Sequence, residues 1–197
     1  SAITALRKSY SLYRGDENEE DVLVTTNYRV DGTASSRTVF TYDGDTLTRS
    51  TTDKLKVVDG VLTKRLSSVS VYTGFENEEK VQDTTNYRVS TAVKSITHYD
   101  YAPTGWGELT SSTTRRDNGR IKSLTLYAGE ESEEKAKLTL NYNYAEVLKT
   151  STVFLYLNDI LRSSTTYKGE VTINQANGLS AITALRKSYS LYRGDEN

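Results

Sequence analysis

The chain has 197 residues, a mass of 22.0 kDa and a formal net charge of −1, with 15 Tyr but 3 Phe, 1 Trp, no Cys and no Met. The near balance of acidic and basic residues argues against a nucleic-acid partner, which requires a basic face. The absence of Cys excludes disulfides, thiol catalysis and thiolate metal sites. No apolar run is long enough for a membrane-spanning helix. The tyrosine, threonine and serine content is typical of half-buried strands, so the sequence predicts an all-β fold.

The first eighteen residues return unchanged at the other end of the chain. The sequence SAITALRKSYSLYRGDEN occupies residues 1–18 and again 180–197, an offset of 179 residues. Identity over this length predicts one super-repeat followed by the start of the next. Because the chain also lacks a starting Met, we expect it to be a segment of a longer polypeptide.

Tyrosines divide the super-repeat into three diverged units of about 60 residues. Within each unit the first and second tyrosines are 15 residues apart, and the second and third are 14 apart. The predicted units are 13–71, 72–126 and 127–191; residues 1–12 end a preceding unit, and 192–197 begin the next. The three sets are Tyr13, Tyr28 and Tyr42; Tyr72, Tyr87 and Tyr101; and Tyr127, Tyr142 and Tyr156.

A glycine and an acidic turn follow the first tyrosine of every unit, and an alternating strand leads into the second tyrosine. Period-two alternation predicts that one face of this strand is covered. A second strand carries threonine, an aromatic residue and tyrosine at alternate positions, as Thr38, Phe40 and Tyr42 illustrate. The predicted core face comprises Val22, Val24, Thr26, Tyr28 and Val30 in the first unit, and Ala136, Leu138, Leu140, Tyr142 and Tyr144 in the third.

Glycine turns precede the last strand of each unit, at Asp59-Gly60, Asn118-Gly119 and Asn177-Gly178. Four strands per unit, at about 15 residues per strand and turn, leave little room for helices. We therefore predict a tandem-repeat antiparallel β meander that forms an open solenoid or spiral.

Two segments, YDGDTLTRSTT at 42–52 and THYDYAPTGWGELTSSTT at 97–114, resemble the YD repeats of Rhs-like proteins. The shared pattern is a Tyr-Asp pair, a turn with glycine, and then leucine and a Thr/Ser strand. A third segment, YLNDILRSSTT, keeps Tyr156, Leu161 and the STT but loses the Asp and the Gly. The resemblance implies an antiparallel β ribbon wound into a large spiral sheet in a secreted or surface-associated protein.

The acidic turn offers the best candidates for a metal site. Asp16, Glu17, Glu19 and Glu20 supply oxygens of the kind that Ca²⁺ prefers, but their spacing matches no strict calcium loop. Because lysines neighbour the equivalent turns of the other units, the pattern favours solvated turns that discourage aggregation.

Three tyrosines are candidates for a binding stripe, because they alternate with serine or threonine on the side opposite the aliphatic residues. They are Tyr13, Tyr72 and Tyr127. A face of this kind stacks on sugars or contacts another chain. The single histidine, His98, has no catalytic partners in the sequence pattern, and we expect neither an enzyme nor a cofactor.

These observations favour a non-enzymatic structural protein, a segment of a long extracellular filament, stalk or fibre whose partner is itself, through neighbouring repeats or subunits. Two alternatives remain open. One is a surface module that binds glycan or protein through the tyrosines, and the other is a shell segment of an Rhs-like toxin.

Overall fold

A computed structural model describes residues 7–16, 19–103, 107–171 and 185–192. The all-β prediction is confirmed: these residues form thirteen strands and contain no α-helix. The chain divides into two compact units, residues 1–96 and 97–197. This division does not fall at any of the boundaries that the tyrosine spacing predicts, and those boundaries stay a prediction.

The first compact unit contains six complete strands and the start of a seventh. They are β1 (Ser9–Arg14), β2 (Asp21–Tyr28), β3 (Ala34–Asp43), β4 (Thr46–Val58), β5 (Val61–Thr73), β6 (Lys80–Tyr87) and β7 (Val93–Tyr101). The division at residue 96 falls within β7.

The second compact unit contains the rest of β7 and six further strands. They are β8 (Leu109–Arg116), β9 (Ile121–Ala128), β10 (Lys135–Tyr142), β11 (Leu148–Leu157), β12 (Ile160–Lys168) and β13 (Arg186–Leu191).

Strand order follows the sequence from β1 to β13, without a crossover. The pairs from β1 to β6 and from β8 to β13 are all antiparallel. The predicted antiparallel meander is therefore confirmed, and each strand contacts chiefly the strands before and after it in the chain.

Tight turns explain why consecutive strands pair. Asp59 and Gly60 join β4 to β5, and Asn158 and Asp159 join β11 to β12; all four residues have positive φ. Two-residue hairpin loops of this type match the right-handed twist of the strands. Gly119 also lies in a turn with positive φ, whereas the predicted turn at Gly178 lies outside the described residues.

A change of register accompanies the tyrosines that mark the sequence repeat. Leu12 lies opposite Val24 but Tyr13 lies opposite Val22, which leaves Leu23 as the extra residue of a β-bulge. A bulge of this kind interrupts simple alternation, so Val22 does not continue the row that Val24 occupies. Register shifts occur in the same way at Tyr13, Tyr28, Tyr42, Tyr72, Tyr127, Tyr142 and Tyr156.

The predicted core face is correspondingly shorter than the alternation suggests. Val30 is 87% exposed and Tyr144 is 72% exposed, so their assignment to the core is wrong. Both residues follow the last residue of a strand, where the chain turns: Arg29 N donates to Thr33 O, and Asn143 N donates to Val147 O. The strands end at Tyr28 and Tyr142, and the residues beyond them face solvent.

Side chains alternate between an aliphatic row and a hydroxyl row across the strands. In the first compact unit Leu12, Val24 and Val39 lie side by side on one face. The neighbouring residues Ser11, Thr25, Thr38 and Thr52 form the row on the other face. Cross-strand hydroxyl pairs 2.9–3.0 Å apart recur in six hairpins: Ser11–Thr25, Thr38–Thr52, Ser70–Thr84, Thr97–Thr114, Thr125–Thr139 and Thr152–Thr166.

Few apolar side chains in the described part of the chain are buried. In the second unit Leu138, Val153, Tyr167 and Val171 form one cluster. In the first unit Leu55 and Val69 are buried. Most strand residues are half-buried, so strand pairing and cross-strand contacts, rather than a large core, provide most of the order.

Candidate functional site

The three tyrosines of the predicted binding stripe occupy equivalent positions in β1, β5 and β9. Tyr13 lies opposite Val22, Tyr72 opposite Val81 and Tyr127 opposite Ala136. Tyr13 is 58% exposed, because β1 has a described neighbour on one edge alone. Tyr72 and Tyr127 are half-buried, since a strand lies on each side of them.

The hydroxyl groups of the two inner tyrosines contact the preceding strand. Tyr72 Oη and Ser50 Oγ share a hydrogen bond of 3.1 Å, as do Tyr127 Oη and Ser112 Oγ. Ser50 and Ser112 are buried. A third pair has the same form, with Ser164 Oγ 3.2 Å from Tyr192 Oη. We call these three pairs the serine–tyrosine junctions.

A glutamate adds a second contact beside two of these junctions. Leu47 N donates to Glu79 Oε1, and Leu109 N donates to Glu134 Oε1, each at 2.8 Å. Each leucine lies at the start of a strand, Leu47 in β4 and Leu109 in β8, and each glutamate directly precedes a later strand, β6 or β10. The sequence interpretation treated every acidic residue of these turns as solvated and missed this role. The signal was present: Glu20, Glu79 and Glu134 each lie five residues after a glycine and directly before a strand.

The glycines that open the acidic turns are required by the backbone. Gly15, Gly74 and Gly129 have φ values of 109°, 126° and 138°. A Cβ atom at Gly74 would lie 2.6 Å from Glu78 O. Because this contact is with backbone, the turn has no room for a larger residue.

The acidic candidates for a metal site face a common depression. Asp16, Glu19 and Glu20 line it with Asp21, Asp45, Glu76 and others, and its volume is about 580 Å³. Glu17 lies outside the described residues. Within the described residues no group of three acidic or imidazole side chains is arranged to hold a metal ion. The turn itself is held by backbone, with Glu19 N donating to Asp16 O at 3.0 Å.

A basic side chain covers the third tyrosine in the first and third sequence units. The Arg14 guanidinium lies 4.8 Å from the centre of the Tyr42 ring and donates to Gly44 O in the following turn. In the third unit Lys137 Nζ lies 4.9 Å from the Tyr156 ring, and Lys135 Nζ is 2.8 Å from Asp159. The hydrogen bond from Lys135 lowers the pKa of the exposed Asp159 carboxyl. The cation beside the third tyrosine therefore comes from β1 in the first sequence unit and from β10 in the third.

Burial raises the pKa of these tyrosines. The pKa of Tyr42, Tyr101 and Tyr156 lies above the usual value of 10.0, chiefly because the surrounding residues remove water from the phenol. The Asp21 carboxylate raises the pKa of Tyr42 further. A half-buried phenol with a raised pKa stays neutral and contributes to packing.

His98 has polar neighbours, but their arrangement differs from that of a catalytic triad. His98 Nε2 lies 3.5 Å from Asp100 Oδ1, and Ser111 Oγ donates to Asp100 Oδ2 at 2.6 Å. The carboxylate lies between the imidazole and the hydroxyl, whereas nucleophilic catalysis requires the imidazole to accept the hydroxyl proton. His98 and Asp100 are each about half exposed, so the group is also open to water.

The candidate site therefore consists of contacts between consecutive hairpins.

Among the described residues there is no helix with the length and apolar character needed to cross a membrane. No protein-family model matches the sequence, and a search of curated proteins finds no relative.

A search of solved structures finds matches of low similarity. A porin-like protein from Bacteroides uniformis is 13% identical with a TM-score of 0.27, and the alignment covers 94% of this chain and 97% of that one. A protein of unknown function from Bacteroides fragilis is also 13% identical, with a TM-score of 0.24 and coverage of 79% of this chain and 91% of that one.

Proposed function

We propose that the chain is a non-enzymatic structural repeat protein, a segment of a long extracellular filament, stalk or fibre. One observation supports this above others: the sequence SYSLY occurs in β1, at the start of the strand order, and again at β13, at its end. Because the sequence at β13 is the same as at β1, a further super-repeat can follow β13 in the way that this one follows β1. In this proposal the meander winds into an open solenoid or spiral with three units per 179-residue super-repeat.

Contacts between neighbours support an array of this type. The serine–tyrosine junctions recur at β4–β5, β8–β9 and β12–β13, which is every fourth pair of strands. A protein in which each element contacts its neighbours gains stability additively and is extended by adding further copies. The small number of buried apolar side chains among the described residues fits this arrangement.

Concatenation tests the extension. Chains with one, two and three super-repeats joined at their natural 179-residue offset should give maximum dimensions, measured by small-angle X-ray scattering, that grow by equal steps. Electron microscopy should show rods of matching lengths. Particles whose longest dimension hardly changed with copy number would contradict a filament.

Location is tested separately. An antibody against the chain should label intact source cells or their surroundings without permeabilisation, and external protease should remove that label. Labelling that requires permeabilisation would rule out an extracellular role while leaving the extended structure in place.

A surface binding module is the second candidate, because Tyr13 is 58% exposed on β1, which has one neighbour among the described strands. In this case Tyr13, Tyr72 and Tyr127 would contact glycan or protein by stacking. A glycan array probed with the native chain and with Tyr13→Ala tests the candidate: binding that the substitution removes would favour it over the filament.

A further inference from the structure

Strands β5 and β9 contain the first tyrosines of the second and third sequence units, and each lies between two neighbouring strands. Ser70 of β5 lies opposite both Ser50 of β4 and Thr84 of β6. In β9, Thr125 lies opposite both Ser112 of β8 and Thr139 of β10. One edge makes the serine–tyrosine junction and the other makes the cross-strand hydroxyl pair.

Strands β1 and β13 each show half of this arrangement. Ser11 of β1 lies opposite Thr25 of β2, and Ser190 of β13 lies opposite Ser164 of β12. Residues 9–13 and 188–192 have the same sequence, SYSLY. Among the described strands β1 has no neighbour on its first edge, and β13 has none on its second. All six side chains of β13 are exposed, as expected for a strand with one neighbour.

We propose that β1 docks on β12 of a second copy of this chain, in place of that copy's β13, and so joins copies head to tail. The proposal rests on the filament function and names its partner and its contact. The occupant follows from the pairing that the structure shows: β12 already accepts the SYSLY strand in a defined register. An unpaired strand edge is also the usual site for adding a strand from another chain.

The register of the join follows from the existing pair. Thr166 lies opposite Ser188, Thr165 opposite Tyr189 and Ser164 opposite Ser190. Residues Ser9, Tyr10 and Ser11 of the arriving copy take those three positions, in the same order. The Tyr13 hydroxyl then reaches Ser164 of the second copy, as Tyr192 does at 3.2 Å.

Glu20 adds a contact to this join. Tyr156 lies opposite Leu161 and Arg162 is the extra residue of the bulge, just as Tyr42 lies opposite Leu47 with Thr48 extra. Leu47 N donates to Glu79, and Glu20 ends the equivalent acidic turn after β1. In the join, Leu161 N of the second copy donates to Glu20. In the second copy β13 has only β12 as a described neighbour. The β1 strand that replaces it is also paired, on its other edge, with β2 of its own copy.

Disulfide cross-linking tests the register, because the chain has no cysteine. A Thr166→Cys chain is mixed with a Ser9→Cys chain under mild oxidation, with a Tyr10→Cys chain as the matched control. Opposed residues of paired strands have Cβ atoms roughly 4.5–5.5 Å apart, whereas adjacent residues point to opposite faces. We expect a product of twice the 22.0 kDa chain mass from the Ser9 mixture and little from the Tyr10 mixture. No product, or equal product in both mixtures, would overturn the proposal.

The glutamate contact has its own measurement. Glu20→Ala should raise the concentration needed for association roughly tenfold, because Leu161 N loses its charged hydrogen-bond acceptor. Glu19→Ala is the control and should leave this concentration unchanged; equal effects would overturn the Glu20 contact. If cross-linking fails while concatenated super-repeats still extend by equal steps, the filament stands and strand exchange between separate chains does not.

Discussion

The Tyr42 hydroxyl donates a hydrogen bond of 2.9 Å to the carbonyl oxygen of Val22, on the neighbouring strand. Val22 lies beside the extra residue of a β-bulge, where the regular ladder is interrupted. The Tyr42 side chain on β3 thus bonds to the backbone of the preceding strand, β2, at a residue outside the paired register of these two strands. Tyrosine suits this position better than phenylalanine, which has the same ring but no donor.

Removing this hydroxyl should cost less than removing the ring. Tyr42→Phe should lower the free energy of unfolding by about 1 kcal/mol through loss of the hydrogen bond. Tyr42→Ala should lower it by roughly 2–4 kcal/mol, because a half-buried ring and its contact with Arg14 are lost as well. Urea denaturation measures both. Tyr144→Ala is the control, and its effect should be within about 1 kcal/mol, because this ring is exposed and loses only a solvent-accessible contact with Arg116. A larger loss for Tyr144 than for Tyr42 would contradict the burial that the structure shows.

Two glycines with positive φ should differ in their tolerance of alanine. Gly74→Ala should destabilise the fold by about 2–3 kcal/mol, because the new Cβ atom would lie 2.6 Å from Glu78 O and the φ of 126° is strained for alanine. In Gly119→Ala the new Cβ atom would have no atom within 4 Å, so the loss should be only the cost of a positive φ at alanine, about 1 kcal/mol. Thermal unfolding of the two variants gives the comparison. Equal losses would show that the turn relaxes around the new methyl group.

In the acidic turn before β6, we expect Glu79 to stabilise the fold and Glu78 to have little effect. Glu79→Ala should cost about 1–2 kcal/mol, because it leaves Leu47 N without its carboxylate partner at a half-buried position. Glu78→Ala should stay within about 0.5 kcal/mol, since Glu78 is exposed and its side chain lies in solvent. Chemical denaturation at matched ionic strength separates the effects. If the two variants matched, the carboxylate contact would have no energetic role.

Stability should decrease in alkali as tyrosines ionise. The folded-state pKa of Tyr42, Tyr101 and Tyr156 is raised above 10.0, so their contribution is complete below that pH. Above it the unfolded chain loses these protons first, and stability falls until the pH passes the raised pKa values of the folded protein. Near-ultraviolet absorbance and the melting temperature, followed together through this range, should show it. In Tyr42→Phe the fall should be shallower, whereas a profile that rose with pH would contradict the assignment.

The sequence by itself determined the strands and most of their turns. Alternation and β-branched or tyrosine content predicted strands, because a pleated backbone places successive side chains on opposite faces. The pairs Asp59-Gly60 and Asn118-Gly119 predicted turns, since positive φ is a local property of the residues themselves. The position of Tyr72 beside Ser70, opposite the aliphatic residues, also followed from simple counting within one strand.

Tertiary structure decided what each side chain contacts. Whether Tyr13 or Tyr72 is covered depends on the presence of a preceding strand, which no local pattern records. The bulges at the tyrosines depend on the register between two paired strands. The bond from Leu47 N to Glu79 joins residues 32 positions apart, so its geometry exists only once hairpins pair. Val30 and Tyr144 continue the sequence pattern but lie beyond the last paired residue, and only the end of strand pairing places them in solvent.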